Sequence, residues 1–574
     1  MSKTKRLKIA LCWHMHQPWY QEGSDGEYRL PWVYLHAMKD YSDMAAHLEA
    51  HPGMKLTVNF APVLLDQLDD YARRLEAHLA DGTSMNDPLL NLLAGVTPIP
   101  ADIEGRMRIF DDCQKANADK MIHPYPAYHA LLASVKDAND SAPEAHFERM
   151  IAYLGEQYFI DLLVWYHLAW LGHSMKQLKS VHQLIGKEAG YTMEDRRTLL
   201  KVISDCIGGL VPRYRALSER GQVELSMTPY FHPIVPLLND IDNMACSQPD
   251  DPRPEFDLYP GGVDRAHWHF QEGLDCFERH FGDRPTGVWL SEGGLSEDAL
   301  VQASEYGFRW TASGEAVLRN SLAKSTVEGV GQGDHCLYHP YVIEDVDTRM
   351  MFRDDGLSDL IGFEYSNRHS EEAAADLIGI LENIADGIGK KAGDHVVNII
   401  LDGENAWEYY PHNGHFFLDH LYSLLSDNTK LEPVRMVDAV EACPSEELEK
   451  LCAGSWVYGS FSTWIGSKDK NRAWDLLYDA KLAYDSAMSS GRLDAETSER
   501  ATRQLAIAEG SDWFWWFGDY NPGGSVRDFD ELYRSQLVHL YQLLGEDVPD
   551  TLDQPVSLGG GDGVANAGTM VRNV

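Results

Sequence analysis

A chain of 574 residues is too long for one ordinary hydrophobic core, and it has room for a barrel of about 250 residues with additional units. Its apolar content of 44% indicates a globular protein, and its net charge of −40 argues against nucleic acid and anionic membranes as partners, because like charges repel. The eight cysteines are scattered without a Cys-x-x-Cys pair, which indicates reduced thiols in a cytoplasm and neither a disulfide framework nor a zinc ribbon.

No segment of the sequence is typical of a secretory signal or a membrane span. Residues 1–6 lead into a short apolar stretch that Lys8 interrupts, and this stretch is too brief for a signal peptide. The most apolar helical segment, Tyr153 to Leu171, contains two acidic residues and a histidine, so we expect it to be a buried helix. We therefore predict a cytoplasmic protein that does not enter the membrane.

Strand character begins at Arg6–Cys12, whose residues first alternate and then become apolar. The motif His14-Met-His16-Gln17-Pro18 follows almost immediately. Two histidines separated by one residue point the same way on an extended chain, so both can face one pocket. A second strand is predicted at Lys55–Phe60, and the pattern from about residue 61 to 220 is helical, which indicates a large insertion.

Strand character returns after residue 220 and alternates with helical stretches. Further strands are predicted at Val223–Met227, Gly287–Glu292, Phe308–Ala312, Thr348–Arg353 and Val396–Asp402. Seven strands in alternation with helices predict a parallel sheet whose faces are covered. We expect an α/β fold, with a closed or nearly closed barrel as the first choice and a flat, doubly wound sheet as the second.

Beyond about residue 414 the strand signal fades and long helical patterns replace it. We therefore divide the chain into three parts. Residues 1–413 form the catalytic barrel with its helical insertion over about 61–220, residues 414–550 form an α-helical domain, and residues 551–574 form a flexible tail with few apolar anchors.

Two predicted strands have the same sequence pattern, in which an apolar run ends in an acidic residue that is followed by glycine. Glu292 ends one of these runs, and Asp402 ends the other. The ends of parallel strands build the active site in barrels and doubly wound sheets, so these carboxylates can converge. A lone glutamate at a strand end is more often structural, but a pair of carboxylates is the minimum equipment for cleaving an acetal. Glu404 can help the acid keep its proton through like-charge repulsion.

Several motifs together resemble the ordered sequence regions of glycoside hydrolase family 57. They are His14-Met-His16-Gln17-Pro18, Gly287-Val-Trp-Leu-Ser-Glu292, Leu401-Asp402-Gly-Glu404, and Thr463-Trp464-Ile-Gly466 with Asn471-Arg-Ala-Trp474. A fifth region, around Glu224 and His232, matches less closely, and the resemblance extends over roughly residues 6 to 545. That family comprises retaining α-glucan enzymes, including α-amylases, amylopullulanases, 4-α-glucanotransferases and glycogen branching enzymes.

The resemblance implies an incomplete seven-stranded (β/α) barrel followed by helices. It also implies that Glu292 is the nucleophile and that Asp402 is the acid that later acts as base. The predicted substrate-binding residues are His14, His16, Gln17, His232, Trp289, Asp354, Glu404, Trp464 and Trp515. No cofactor and no metal are predicted, and the oligomeric state is left open.

Three of these assignments have alternatives. The two histidines of the His-x-His motif can instead bind a divalent metal with Asp354 or Asp402, as in a metal-dependent deacetylase or zinc α-mannosidase, or they can be structural. Asp354 can belong to a charged turn rather than to the sugar cleft. Trp515 lies in the aromatic cluster Ser511–Asp519, which can be either the core of the helical domain or a wall for sugar stacking.

The sequence thus predicts a retaining enzyme of the α-amylase type that cleaves α-1,4 bonds of starch, glycogen or maltooligosaccharides. 4-α-Glucanotransferase is the second choice, and glycogen branching enzyme is the third. Two hypotheses from other classes are a zinc-dependent sugar hydrolase and a glucan-binding protein without catalytic activity.

Overall fold

A computed structural model of the protein describes residues 6–136, 144–325 and 335–561. The described residues contain one sheet of nine strands. The strands are β1 (Leu7–Met15), β2 (Leu56–Phe60), β3 (Val223–Met227), β4 (Trp310–Gly314), β5 (Tyr341–Val342), β6 (Arg349–Arg353), β7 (Val396–Asp402), β8 (Leu431–Val434) and β9 (Glu446–Glu447).

Strand β1 is the centre of the sheet. It pairs in parallel with β7 over Lys8–His14 and with β2 over Cys12–Met15. The parallel pairs β2–β3, β4–β6 and β6–β7 extend the sheet on both sides. Between β3 and β4, isolated bridges from Val288 to Met227 and from Gly287 to Trp310 complete the circuit. This circuit contains seven segments, whereas a complete (β/α) barrel has eight, so the fold is an incomplete seven-stranded (β/α) barrel and the predicted fold class is confirmed.

The predicted strand before Glu292 is the irregular member of this circuit. A side chain at Gly287 would meet the indole of Trp310 at 1.9 Å, so glycine is required where the two segments cross. The segment then ends in a 3-10 turn over Ser291–Gly293 instead of continuing in the sheet. The prediction of a regular strand here is wrong in detail, because the segment packs closely on Trp310 and does not form a continuous ladder of hydrogen bonds with its neighbours.

Helices cover the outside of the barrel. Between β2 and β3 they span Pro62–Asp81, Pro88–Ala94, Ile103–Asp112, Ala118–Ile122, Pro126–Lys136, Glu144–Tyr153, Glu156–Trp170, His173–Lys176, Lys179–Lys187 and Met193–Glu219. Those elsewhere before residue 415 span Trp32–His36, Ala37–Tyr41, Ser42–Ala50, Val235–Asn239, Ile241–Cys246, Gly262–Phe281, Ser291–Gly293, Glu297–Glu305, Glu315–Lys324, Cys336–Tyr338, Asp355–Asp359, Leu360–Glu364, Tyr365–Asn367, Ser370–Ile388, Gly389–Asp394, Trp407–Tyr409 and Pro411–Gly414. The longest helix starts with a capping box, in which Thr192 and Asp195 satisfy each other's backbone N–H groups.

The C-terminal part is mainly helical, as the sequence predicts. Its helices span His415–Ser426, Met436–Ala442, Lys468–Ser489, Ala495–Ala508, Ser511–Trp516, Gly523–Leu544 and Asp550–Asp553. However, β8 follows residue 413 and pairs with β1 over Leu7–Ala10, so the sheet continues beyond the predicted domain boundary. Residues 551–561 also differ from a loose tail, because Val556 is buried and its N–H donates to Asp530. The predicted tail over 562–574 lies outside the described residues.

The barrel interior is a packed core rather than a channel. Trp289, Trp310 and Met351 fill it together with side chains from β1 and β7. Glu224 is buried in the same region, where its carboxylate accepts hydrogen bonds from four donors, including the Trp310 indole at 2.7 Å. A buried carboxylate with this many donors is satisfied, so Glu224 is a structural group of the barrel.

The predicted buried helix is present at Glu156–Trp170, and most of its side chains are buried. Across the described ranges, no helix combines the length and apolar character that crossing a bilayer requires. The predicted lack of a secretory signal concerns residues 1–6, of which 1–5 lie outside the described residues.

Candidate active site

Glu292 has an unusual backbone conformation at the end of the irregular barrel segment. Its φ of 58° and ψ of 25° lie in the left-handed region, which costs energy for a residue that carries a Cβ. The next residue, Gly293, is also left-handed, and a side chain there would press against Trp289 and Trp456. Backbone strain of this kind concentrates at functional sites, where the surrounding structure holds a side chain in position.

The carboxyl group of Glu292 is buried and has two polar neighbours. Its Oε2 accepts a hydrogen bond from the indole Nε1 of Trp456 at 3.1 Å, and its Oε1 lies 3.9 Å from His232 Nδ1. Burial raises the pKa of Glu292 well above its usual value, and the nearby carboxylates of Asp402 and Asp512 raise it further. The hydrogen bond from Trp456 acts in the opposite direction, because it favours the ionised form.

Asp402 ends β7 beside His14, its Cα partner in the neighbouring strand β1. Its Oδ2 accepts a hydrogen bond from Asn405 Nδ2 at 2.8 Å. Burial raises the pKa of Asp402, although the hydrogen bond from Asn405 opposes this shift. Burial therefore favours the protonated form of Asp402, which is the form that an acid catalyst needs.

Glu292 and Asp402 line the same cavity. The lining residues are His14, His16, Gln17, Pro18, Tyr20, Glu292, Asp402, Glu404, Asn405, Asp512, Trp516 and Phe529. They come from the ends of β1 and β7, the turn at Glu292 and two helices of the C-terminal part. The structure thus brings together two carboxyl groups that are far apart in sequence.

A hydrogen-bonded chain fixes the tautomers of His14 and His232. Asn59 Oδ1 accepts from His14 Nδ1 at 2.6 Å, because the amide Nδ2 of Asn59 donates to Ser226. His14 Nε2 is then an acceptor and lies 3.2 Å from His232 Nε2, which donates to it. The remaining nitrogen, His232 Nδ1, accepts the hydroxyl proton of Ser511 at 2.8 Å.

Both of these histidines are neutral at pH 7. Burial lowers the pKa of His14 to about 3, with a further contribution from His16. Burial also lowers the pKa of His232 well below its usual value, and His16 and His14 act in the same direction. The hydrogen-bonded chain of His14 and His232 therefore places two uncharged imidazoles beside Glu292, and these rings do not neutralise the Glu292 carboxylate.

His16 has a different partner, Asp512, which lies in the helix Ser511–Trp516 of the C-terminal part and also lines the cavity. His16 Nε2 lies 2.9 Å and 3.0 Å from the two Asp512 oxygens, and both side chains are buried. The His16 ring stacks on that of His232 with centroids 3.8 Å apart. His16 Nδ1 is buried without a hydrogen-bond partner among the described residues.

Ligand atoms of His16, His232 and Asp512 lie within 4.8 Å of one another, which is close enough to share a metal ion. This set differs from the metal hypothesis based on sequence, which combined the His-x-His pair with Asp354 or Asp402. His232 Nε2 and His16 Nε2 already have hydrogen-bond partners, which are His14 and Asp512. His16 Nδ1 has none among the described residues.

Gln17 and Glu404 form a second polar group on the cavity wall. Gln17 Nε2 donates to Glu404 Oε1 at 3.3 Å, and its Oε1 accepts from the Tyr20 hydroxyl at 2.9 Å. Burial raises the pKa of Glu404 well above its usual value, with Asp402 as the next contributor. Glu404 Oε2 has no hydrogen-bond partner in the described part of the chain, so it can accept a ligand hydroxyl.

Five residues predicted to bind substrate do not line the cavity, and one of them is His232, which contacts the lining residue His14. Trp289 and Trp464 have no exposed surface, and Trp289 belongs to the barrel core. Trp464 is part of the main hydrophobic core, so the predicted stacking on a sugar face is not supported. Asp354 caps the helix Asp355–Asp359 and accepts from the Tyr338 hydroxyl at 3.0 Å. In the aromatic cluster, Trp516 lines the cavity in place of Trp515.

The structure adds functional candidates that the sequence reasoning did not identify. These are Asn59, Trp456, Ser511 and Asp512. Asn59 is a polar residue inside a buried strand, and Asp512 is an acid within an aromatic cluster. Polar residues in such apolar surroundings are unusual, so the sequence alone could have indicated both as functional candidates. Trp456 carried none, because its position beside Glu292 depends on a bridge between Gly454 and Leu295.

Comparison with known proteins agrees with this geometry. The sequence profile of Glycosyl hydrolase family 57 matches residues 10–451. A GH57 branching enzyme from Thermococcus kodakaraensis is similar, with 14% identity, a TM-score of 0.57, and coverage of 94% of this chain and 90% of that one. The α-amylase AmyC from Thermotoga maritima has 13% identity and a TM-score of 0.55, and the match covers 94% of this chain and 93% of that one. The 4-α-glucanotransferase from Thermococcus litoralis has 13% identity and a TM-score of 0.50, and the match covers 94% of this chain and 60% of that one.

Identities this low show a common fold and do not distinguish one activity from another. The profile match extends over most of the chain and includes the segments that carry His14, Glu292 and Asp402. On that basis, the chain belongs to glycosyl hydrolase family 57.

Proposed function

We propose that the protein is a retaining enzyme that cleaves α-1,4-glucosidic bonds of starch, glycogen or maltooligosaccharides by double displacement. The observation that carries the proposal is that Glu292 and Asp402, two buried carboxyl groups, line one cavity. Cleavage of a glycosidic bond with retention needs one carboxylate near the anomeric carbon and one acid near the leaving oxygen. Membership of the family and the α-glucan activities named for the similar structures support this substrate class.

In the first step, Glu292 attacks the anomeric carbon while Asp402 donates a proton to the leaving oxygen. In the second step, the ionised Asp402 takes a proton from the incoming hydroxyl group, which displaces Glu292. The two steps require that Glu292 and Asp402 share one proton. With that proton on Asp402, one of the charges that raise the pKa of Glu292 is absent, and the Trp456 hydrogen bond favours an ionised nucleophile, although burial and the charge of Asp512 still act in the opposite direction.

The remaining polar residues of the cavity are assigned to the sugar hydroxyls. The ring nitrogens of His14 and His232 already bond to one another, to Asn59 and to Ser511, so the imidazole left for a hydroxyl is that of His16, whose Nδ1 has no partner among the described residues. Gln17 and Glu404 offer further donors and acceptors. Trp516, which lines the cavity, offers the flat apolar face that stacks on a sugar ring.

Hydrolysis of the α-amylase type is the first choice for the overall reaction, followed by 4-α-glucanotransferase and then glycogen branching enzyme. The three differ in whether water or a sugar hydroxyl enters in the second step. Incubation with maltoheptaose separates them. New reducing ends indicate hydrolysis, a ladder of longer and shorter chains without new ends indicates transfer, and new α-1,6 bonds indicate branching. If none of these products forms, the proposed function is wrong.

A zinc-dependent sugar hydrolase is the second candidate function, and the proximity of His16, His232 and Asp512 is the observation that favours it. This alternative predicts that a chelator abolishes activity and that added zinc restores it. The retaining mechanism predicts that neither treatment changes the rate. The same assay with maltoheptaose, run with and without chelator, distinguishes the two.

A glucan-binding protein without catalysis would bind maltoheptaose and give no product in either condition. Binding that survives in Glu292→Gln, with no turnover in the parent protein, would favour that reading. We also keep a cytoplasmic location as a proposal, because the scattered cysteines fit a reducing compartment.

A further inference from the structure

Two cysteines that are distant in sequence lie in contact. The sulfur atoms of Cys246 and Cys452 are 2.8 Å apart, although the residues are separated by 206 positions. Cys246 ends the helical turn Ile241–Cys246, and Cys452 precedes the segment that carries Trp456. Both thiols are free in this structure. The S–S bond of a disulfide measures about 2.05 Å, so bond formation requires the sulfurs to move by less than about 1 Å.

The two thiols differ in a way that suits thiol–disulfide exchange. Cys246 is partly exposed, and Lys324 Nζ lies 3.0 Å from its sulfur. Burial opposes ionisation of Cys246, but hydrogen bonds from Cys452 and Lys324 outweigh it and lower the pKa of Cys246. Cys452 is 2% exposed, and burial raises its pKa to about 11. The accessible thiol is therefore also the one more easily ionised, which is typical of an attacking cysteine.

We propose that Cys246 and Cys452 are a reversible redox site that forms an intramolecular disulfide by exchange with a low-molecular-weight disulfide. The Cys246 thiolate attacks one sulfur of that disulfide, forms a mixed disulfide and expels one small thiolate. The Cys452 thiol passes its proton to that thiolate and attacks the Cys246 sulfur, which expels the second small thiolate, and this thiolate takes up the proton that Cys246 released to solvent when it ionised. Two protein thiols are oxidised, and one small disulfide is reduced to two small thiols.

The new bond would stabilise the segment that follows Cys452, which carries Trp456 and contacts Glu292. Beyond Cys452, the chain runs beside the Glu292 turn, where Gly454 bridges Leu295 and the Trp456 N–H donates to the Glu292 carbonyl at 3.2 Å. Joining this segment covalently to Cys246 closes a long loop of the unfolded chain, and such a link lowers the entropy of unfolding. Because the sulfurs already touch, the bond is expected to leave the contact between Trp456 and Glu292 in place.

The test is peptide mapping of the full-length protein after incubation of the reduced form with oxidised glutathione. We expect one cross-linked peptide that joins Cys246 to Cys452, with the loss of two hydrogens, and dithiothreitol should reverse it. The oxidised protein should unfold a few degrees above the Cys246→Ser variant treated in the same way. Absence of the cross-linked peptide, or glutathione remaining on Cys246 in the parent protein, would overturn the proposal.

Three variants test the division of roles between the two thiols. Cys452→Ser should stop at the mixed disulfide of Cys246 with glutathione, because no second thiol can resolve it. Lys324→Met should slow alkylation of Cys246 by iodoacetamide several-fold at pH 7. Cys336→Ser, which removes another partly exposed thiol, is the control and should leave the cross-link unchanged. Equal alkylation of Cys246 with and without Lys324 would refute the activation of this thiol.

Discussion

The indole Nε1 of Trp456 lies 3.1 Å from Oε2 of Glu292, and the Trp456 backbone N–H donates to the carbonyl oxygen of the same glutamate. One residue thus holds both the backbone and the side chain of the proposed nucleophile. A hydrogen bond to a charged group contributes about 1.5–3 kcal/mol. We therefore expect Trp456→Phe to lower kcat/KM by roughly 10- to 100-fold, since 1.4 kcal/mol corresponds to about tenfold.

The same substitution should move the acid limb of the pH profile. The Trp456 hydrogen bond lowers the pKa of Glu292, so its loss should shift the limb of kcat/KM that reports ionisation of Glu292 to higher pH. Trp464→Phe is the matched control, because Trp464 is fully buried and does not line the cavity. If both variants have the same activity and pH profile, Trp456 does not act on Glu292.

Asp512→Asn should shift the acid limb of kcat/KM in the opposite direction. The charge of Asp512 is among the causes that raise the pKa of Glu292, so its removal should allow Glu292 to ionise at lower pH. We also expect kcat to fall by about tenfold, because His16 loses its charged hydrogen-bond partner. Asp354→Asn, outside the cavity, should leave the limb in place. A limb that moves to higher pH in Asp512→Asn would contradict this electrostatic account.

A buried ion pair between the barrel and the C-terminal helices is expected to govern stability at acid pH. Both Glu509 oxygens accept from Arg265 at 2.8 Å, and His269 Nε2 lies 2.9 Å from Oε2. Burial opposes ionisation of Glu509, but Arg265 and His269 outweigh it and lower the pKa of Glu509 to about 2. Glu509→Gln leaves the Arg265 guanidinium buried and unpaired, which should destabilise the protein by about 3–5 kcal/mol at pH 7.

The pH dependence of this effect has a definite sign. A folded pKa below the ordinary value of 4.5 stabilises the protein above pH 4.5, and the benefit disappears as the pH falls towards 2. The difference in Tm between the parent and Glu509→Gln should therefore narrow below pH 4.5 in scanning calorimetry. Asp69→Asn, which breaks an exposed pair with Arg73, should cost less than about 1 kcal/mol. A constant difference in Tm down to pH 3 would contradict the prediction.

The barrel could be predicted from sequence because its strands are buried on both faces and contain few charges. The pattern located β3 at Val223–Met227 and β7 at Val396–Asp402 with their observed bounds. It missed β8, which has only four residues and includes Pro433, too short a run to show a period and with a residue that disfavours strands. Its pairing with the start of β1 is a tertiary contact that local sequence does not encode.

The candidate site was only partly predictable. Glu292 and Asp402 end apolar segments, and this local signal led to both cavity-lining carboxyl groups. Trp464 was chosen from a motif, but a motif does not record burial, and its indole lies in the core. Asp512 reaches His16 across 496 residues, a contact that depends on how the C-terminal helices pack on the barrel. Such contacts follow from tertiary packing rather than from residue type.

The proposed mechanism requires a covalent glycosyl intermediate at Glu292, and the Asp402→Asn variant can test this directly. Its substrate should be α-maltotriosyl fluoride, whose leaving group needs no acid, so the intermediate forms but lacks the base for its breakdown. We predict that peptide mapping after a rapid acid quench finds a maltotriosyl group on Glu292, and that Glu292→Gln in the same background carries none. A glycosyl group on another residue, or rapid turnover by the Glu292→Gln enzyme, would contradict the proposed mechanism.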